Sequence, residues 1–488
     1  MLPSTPVRIL LRRGPSGRMK VSGRRAERRL RVAVLCLVAS ACGGSRAASS
    51  PPGAPAALVA NAGDGAVSLG WDPPAQGGAV ESYRVAVTPA QGSSVTMSGR
   101  TALVRGLTNG TPTTFAVTAT GAGGTGPART VDATPQAYVA AGEAALTVAG
   151  DTSSSGIFDP SVVGGATAAW LSYSSVNFHL DAANRRVQDV GISLARSDDG
   201  GLSWTFVRSV AIPSDTTVTD TTGAVCGAAS CTGRWVYETS WLVDDPTDAT
   251  ARYKLFAHQY FLYPPASNST IYVLGAIVMW TATSPERLGD SPPRTVLRWK
   301  LTPPALAGGI DVNGLASDLA GCLAVAEGSG SARPDALDLA LSCTYFVAGA
   351  NPLPQKVVLL RSTDHAATFR YVSTLLDAPD AAPLQATFFT APAILAAPDP
   401  APVLLVTPAF SGIYGGCVAI PFADLEAGTL ARDGGFPVDL LFVPAGTGQF
   451  GGACALDRSL AMGILRNEVD LGAPWPPTFR IIRTGRSL

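Results

Sequence analysis

Apolar and polar positions along this chain alternate over short spans, and the spans are closed by Gly, Pro, Asp and Asn. Val80-Glu81-Ser82-Tyr83-Arg84-Val85-Ala86-Val87 has the period of two expected of a half-buried strand. Ala66 to Asp72 reads as a strand carrying a large aromatic, Trp71, and Pro73-Pro74 stops it. Leu107 to Val117 is a turn at Asn109-Gly110 followed by another strand. From about residue 137 the strands come in fours. Group one is 157–163, 168–174, 188–195 and 205–212; group two is 235–243, 252–262, 270–281 and 294–301. Group three is 322–327, 336–346, 356–361 and 370–376; group four is 385–395, 403–407, 417–421 and 437–443. A fifth group has only 453–457, 460–466 and 478–483. Residues 144–149 can supply its missing strand, closing a ring by joining the two ends and leaving no open edge.

Two turns repeat inside this pattern. Ser197-Asp198-Asp199-Gly200-Gly201-Leu202-Ser203-Trp204 and Ser362-Thr363-Asp364-His365-Ala366-Ala367-Thr368-Phe369 both read Ser-x-Asp-x-Gly/Ala-x-Ser/Thr-aromatic. The carboxylate can accept backbone N–H bonds within the turn, Gly200 can take φ > 0, and the aromatic can fold back beneath. The motif resembles the Asp box of sialidase-like β-propellers, where it is a structural turn. Ala366 and Phe369 depart from it in the second copy. Both copies fall between the third and fourth strands of their groups. Residues 54–136 resemble a fibronectin type III domain, with Thr113 where that family has its corner tyrosine. The expected fold is all-β: a fibronectin type III β-sandwich, serving as spacer or adaptor, followed by a five-bladed β-propeller over residues 137–488. Six blades, as in sialidases, is the alternative.

The chain has 488 residues, 46% of them apolar and 15% charged, with 52 Gly and 38 Pro, a composition that suits turn-rich β structure. Its zero net charge hides an asymmetry. Residues 1–31 hold ten Lys or Arg and one acid, so the rest carries 26 basic and 35 acidic residues. A mildly acidic body without a basic stripe excludes nucleic acid as the expected partner. The basic lead precedes Val32 to Ala41, ten residues that are too few for a span of about 20. This is the plan of a secretory signal over residues 1–41. Ala39-Ser40-Ala41-Cys42 resembles a bacterial lipobox with Cys42 as the lipidated first residue; ordinary cleavage nearby is the alternative. Translation starting at Met19 would shorten the lead. Residues 43–53 then form a linker, and a monomer held at the cell envelope by lipid alone is expected.

Cys226, Cys231, Cys322, Cys343, Cys417 and Cys454 remain, an even number that in an exported protein implies disulfides. Fifteen pairings exist; neighbour logic favours 226–231, 322–343 and 417–454. No Cys-x-x-Cys occurs, and His179, His258 and His365 lack ligand spacing, so neither metal nor cofactor is expected.

Candidate chemistry lies on the first strand of each group, which lines the channel of a propeller. Asp159 and Glu238 take matching places when Phe158 is aligned with Tyr237 and Phe389. Paired carboxyls serve glycoside hydrolysis, one as acid and one as base or nucleophile. Asp159-Pro160 resembles the opening motif of five-bladed glycosidases, which implies a third carboxylate: Glu327, or Asp244 or Asp245. His258 and Tyr260 are the candidate sugar-binding groups. The plainer alternative makes Asp159 a turn cap and Glu238 a solvated acid. No arginine triad of the sialidase kind assembles. The two functional expectations are a glycosidase-like enzyme on extracellular glycan, and a non-catalytic propeller binding glycan or a surface protein.

Overall fold

A computed structural model describes residues 49–488 except 64, 91, 136–142, 166, 183, 185, 220–225, 227–228, 263–273, 351, 396–400, 447–448, 461 and 471. The signal segment and Cys42 lie outside the described residues. The first unit is a β-sandwich. Strands Ala56–Gly63, Ala66–Asp72, Thr101–Arg105 and Ser94–Ser98 form one sheet in that order; Ser82–Thr88, Thr113–Gly121 and Arg129–Ala133 build the other. Period-two alternation points Val67, Leu69 and Trp71 into a core with Val104, Phe115 and Val117. Trp71 meets Tyr83 edge-on at 5.3 Å. Thr113, in the place of the corner tyrosine, is buried and donates its hydroxyl to Thr111 O at 3.3 Å, a local substitute for the missing longer bond.

The second unit is a ring of five blades. Their inner strands are Ile157–Val163, Ser230–Asp244, Cys322–Arg333, Phe388–Leu395 and, in the fifth, Gln449–Phe450 with a bridge from Ala455 to Leu465. Five apolar clusters occupy the five blade interfaces. Leu171 and Tyr173 point toward blade five while Trp170 points toward blade two. Phe256 points toward blade three, while Leu255 and Ala257 point back toward blade one. Both faces of each blade are therefore buried, which is why these strands read as nearly continuous apolar runs.

Blade five differs from the expected register. Its middle strand is Leu465–Asp470 rather than 460–466, because Ile464 N–H bonds back to Arg486 O. The closing segment splits in two. Ala144–Ala145 pairs with Phe479–Arg483 in blade five, and Val148–Ala149 runs parallel beside Trp204 in blade one. Arg466, fully buried, clamps the start of this segment through Glu143 at 2.7 and 3.0 Å. Disulfides join Cys226 to Cys231, Cys322 to Cys343 and Cys417 to Cys454; the last staples blade four to the inner strand of blade five.

The sandwich is not a free spacer. Strand Ala66–Asp72 is buried on both faces as far as Trp71. Ala66 and Leu103 share a core cluster with Val438, Leu440 and Leu441 of blade four, so one sheet face packs on the ring.

The two repeated turns have the same internal bonding. Asp199 accepts from Leu202 N, Ser203 N and Ser203 Oγ at 2.6–3.0 Å, and these Ser203 bonds, with one from Ser197, hold its carboxyl down at about 2. Asp364 accepts from Thr368 N at 2.8 Å and from its hydroxyl. Trp204 and Phe369 fold under into the interfaces between blades five and one and between blades two and three. Each turn needs two positive-φ residues: Gly200 and Gly201 in the first, His365 and Ala366 in the second. A Cβ on Gly200 meets nothing within 4 Å, whereas one on Gly201 lies 2.9 Å from Met462 Sδ. Gly200→Ala should therefore cost only the left-handed backbone term, roughly 1–2 kcal/mol, and Gly201→Ala more. Denaturant midpoints of the two variants check this, and equal losses would contradict it.

Candidate functional site

Each inner strand of the ring carries a bulge at one residue with positive φ: Asp159 (51°), Thr239 (50°), Glu327 (47°), Ala391 (45°) and Ala453 (47°). The pairing registers of the first four strands jump at these places. A bulged N–H has lost its ladder partner and must find another acceptor. In four blades a second-strand side chain of the preceding blade supplies it. Asp159 N–H donates to Asn467 Oδ1 at 2.7 Å and Thr239 N–H to Ser174 Oγ at 3.2 Å. Ala391 N–H donates to Ser342 Oγ at 3.0 Å and Ala453 N–H to Thr407 Oγ1 at 2.9 Å. The bulge corrects the expected alignment. The counterpart of Asp159 in blade two is Thr239, and Glu238 stands one residue earlier.

Three carboxyls nevertheless stand close enough to feel one another's charge. Asp159, 5% exposed, accepts from Asn467 Nδ2 at 2.7 Å, Ser174 Oγ at 3.0 Å and Thr239 N at 3.2 Å, so three blades converge on it. Glu327 is half-buried and accepts from Thr390 Oγ1 at 2.6 Å and from Tyr414 Oη at 2.6 and 2.7 Å. Glu238 is half-buried and takes one hydrogen bond among the described residues, from Tyr260 Oη at 2.7 Å. Burial, then the charge of Asp159, and more weakly that of Glu327, push Glu238 up to about 8 against the Tyr260 bond. Burial also raises Asp159 and Glu327, opposed by the bonds just named. No basic side chain pairs with any of the three among the described residues. The two plainer sequence readings are thereby replaced: Asp159 joins blades rather than capping a turn, and Glu238 is not simply solvated.

His258 and Tyr260 do not reach the channel rim as sugar-binding groups. Each is 3% exposed; Tyr260 supports Glu238 from behind, and the His258 ring lies tilted against Tyr260 with centroids 4.9 Å apart. Asp244 pairs with Arg252, and Asp245 with Lys254, so neither joins the carboxyl cluster. Asp245, Asp248 and His365 lie close enough to share a cation, but the Lys254 ammonium already sits there, bonded to both aspartates and to Ala251 O. Sequence reasoning missed Asn467, Ser174, Thr390 and Tyr414. Asn467, Thr390 and Tyr414 come from neighbouring blades and Ser174 from the strand beside Asp159, and no spacing along the chain points to them.

A central cavity of about 40 Å³ lies beside the bulges. Its wall is divided. Blades one to three contribute Asp159, Ser161, Thr239, Ser240, Glu327 and Ser329, whereas blades four and five contribute mainly Ala391, Pro392, Ala393, Ala453 and Ala455. In an antiparallel blade the turn after the third strand lies at the end where the inner strand finishes. The two carboxylate-bonded turns thus face away from the inner strands' starts. At those starts stand Phe158 and Phe178, both edge-on to Phe479, and Tyr414 stacked on Phe450 at 4.6 Å.

Residues 50–134 match the fibronectin type III domain. The fold is thus a fibronectin type III sandwich followed by a β-propeller. Among solved structures, the chain is similar to a family 117 glycoside hydrolase from the marine bacterium Zobellia galactanivorans. That likeness has 12% identity, covers 70% of this chain and 89% of that one, and has a TM-score of 0.39. A family 43 arabinoxylan arabinofuranohydrolase from Bacillus subtilis gives 12% identity, 68% and 63% coverage, and 0.40. An endo-arabinase from Bacteroides thetaiotaomicron gives 12%, 70% and 97%, and 0.38. At these scores the likenesses assign no residue a role. No curated protein matches the chain. No helix among the described residues is long and apolar enough to cross a membrane.

The carboxyl cluster predicts a pH dependence of stability. Glu238 rises from an ordinary 4.5 to about 8 in the fold, so its neutral form is the one the fold prefers. Its contribution is complete below 4.5 and is lost as pH rises through 8. Melting temperature should fall across that window, and Glu238→Gln should flatten the fall. An unchanged profile in the variant would contradict the assignment.

Proposed function

We propose that the propeller is a glycan-acting, glycoside-hydrolase-like domain of an exported, lipid-anchored protein. The observation that carries this reading is the convergence of Asp159, Glu238 and Glu327 with no basic partner among the described residues. Hydrolysis of a glycosidic bond needs one carboxyl that keeps its proton at neutral pH and one that gives its proton up. Glu238, held near 8, is the proton donor. Glu327 lines the cavity, and hydrogen bonds from Tyr414 and Thr390 oppose the rise that burial imposes on it, which fits the base or nucleophile. Asp159, its oxygens taken up by three blades, is the positioning carboxyl whose charge adds to burial in raising Glu238. The partner is extracellular glycan, met by a monomer without a cofactor. The turns at 197–204 and 362–369 are read as Asp boxes, on the strength of their shared bonding.

Nitrophenyl glycosides test this. Turnover should fall as pH rises through about 8, where Glu238 loses its proton. Glu238→Gln and Glu327→Gln should each lower kcat by roughly 10²–10⁴-fold, the usual weight of one acid–base group, while the fold persists. Wild-type activity rising above pH 8, or variants at full rate, would remove the enzymatic reading. The cavity favours a second reading, because 40 Å³ is far below the roughly 300–1,000 Å³ of ordinary ligand sites. Glycan binding without turnover in the wild type would establish that non-catalytic role.

Three disulfides support export into an oxidising compartment. Lipidation at Cys42 predicts that Cys42→Ser moves the protein from the membrane to the soluble fraction. A variant that stays membrane-bound would rule that anchor out.

A further inference from the structure

The narrow cavity has a composition of its own, apart from the carboxyls. Ser161 and Ser329 take equivalent places in blades one and three, each two residues beyond the bulge, and both line the cavity. Each hydroxyl oxygen accepts one backbone N–H from the next blade: Ser161 from Leu242 at 3.0 Å, Ser329 from Ile394 at 2.6 Å. Neither hydroxyl donates to another group among the described residues, so each keeps a proton to give. Blades four and five line the same cavity with Ala391, Pro392, Ala393, Ala453 and Ala455, a set of methyl and methylene groups. The space has room for about three water-sized groups, since one needs roughly 10–15 Å³ of this kind of volume. A sugar ring does not fit; a short substituent of one does.

Resting on the glycan-acting reading, we propose that this cavity is the subsite for an exocyclic hydroxymethyl group of the bound sugar. The sugar ring stays at the mouth beside Glu327. The methylene lies against the alanine and proline wall, and the hydroxyl accepts from Ser161 or Ser329. The group has two heavy atoms, one for each kind of wall. The subsite selects hexopyranosides over the matching pentopyranosides, which are the same rings without that substituent. A missing group of this size at a matched site lowers binding or turnover by roughly tenfold or more, and further where a buried hydroxyl is left unpaired.

The test uses the full chain carrying Glu238→Gln, which slows turnover, and pairs of methyl glycosides: glucoside against xyloside, galactoside against arabinopyranoside. Calorimetry should give hexopyranosides at least about tenfold tighter binding in one pair. Adding Ala393→Leu, which fills the cavity, should bring the ratio close to one, with an unchanged melting temperature showing that the ring is intact. Equal affinity within both pairs, or a preference that survives Ala393→Leu, overturns the hydroxymethyl subsite and leaves the glycan-acting reading standing. If neither member of either pair binds and the wild type cleaves no nitrophenyl glycoside, the glycan-acting reading falls and takes the subsite with it.

Discussion

The bonds given by bulged N–H groups to the preceding blade bind the propeller together near its axis. A residue at positive φ in the middle of a strand costs backbone energy and leaves an amide without its ladder partner. Four blades answer with a hydroxyl or amide oxygen from the neighbour, and Asn467 carries the series from blade five back to blade one. Ring closure is therefore polar near the axis and apolar farther out, where five clusters fill the interfaces. The Glu143–Arg466 clamp and the Cys417–Cys454 staple act at the seam where the first and last blades meet.

The bulges also gather the carboxyls. Asp159 and Glu327 occupy bulge positions, and Glu238 precedes one. Burying three acids without a cation opposes folding at neutral pH, and a fold tolerates this only where protons or hydrogen bonds compensate. Asp159 is compensated by donors from three blades. Glu238 has one donor and keeps its proton. One cluster thus holds a carboxyl bonded from three blades beside one bonded only by Tyr260 among the described residues.

Packing of the fibronectin type III sandwich against blade four changes how the two units relate. A spacer exposes its sheets to water. Here one strand, Ala66–Asp72, is buried on both faces as far as Trp71, and Ala66 and Leu103 complete a cluster that belongs mostly to the ring. The sandwich and propeller therefore share part of one core, and the sandwich holds a set position against the side of the ring.

Local rules determined much of this protein from its sequence. Period-two alternation and turn residues marked out the sandwich and the five groups of strands, because side-chain direction alternates along any strand whatever its neighbours. Ser-x-Asp-x-Gly marked both bonded turns, since every bond in them is made within eight residues. Cysteine order indicated the disulfides, and the two short-range pairs needed only a loop or a hairpin to meet. The bulge lay beyond such reading. Aligning the bulges of the two blades places Thr239, and not Glu238, opposite Asp159, and no local signal distinguishes those registers. Tyr260 and His258 looked like rim groups on an alternating strand, but that strand is sealed between two blades. The partners that decide each carboxyl's proton, Asn467, Ser174, Tyr414 and Thr390, stand up to about 300 residues away along the chain. Packing of one blade on the next brings Thr390 and Tyr414 to Glu327, and closure of the ring brings Asn467 to Asp159, because a pKa depends on the charges and dipoles within a few ångströms in space.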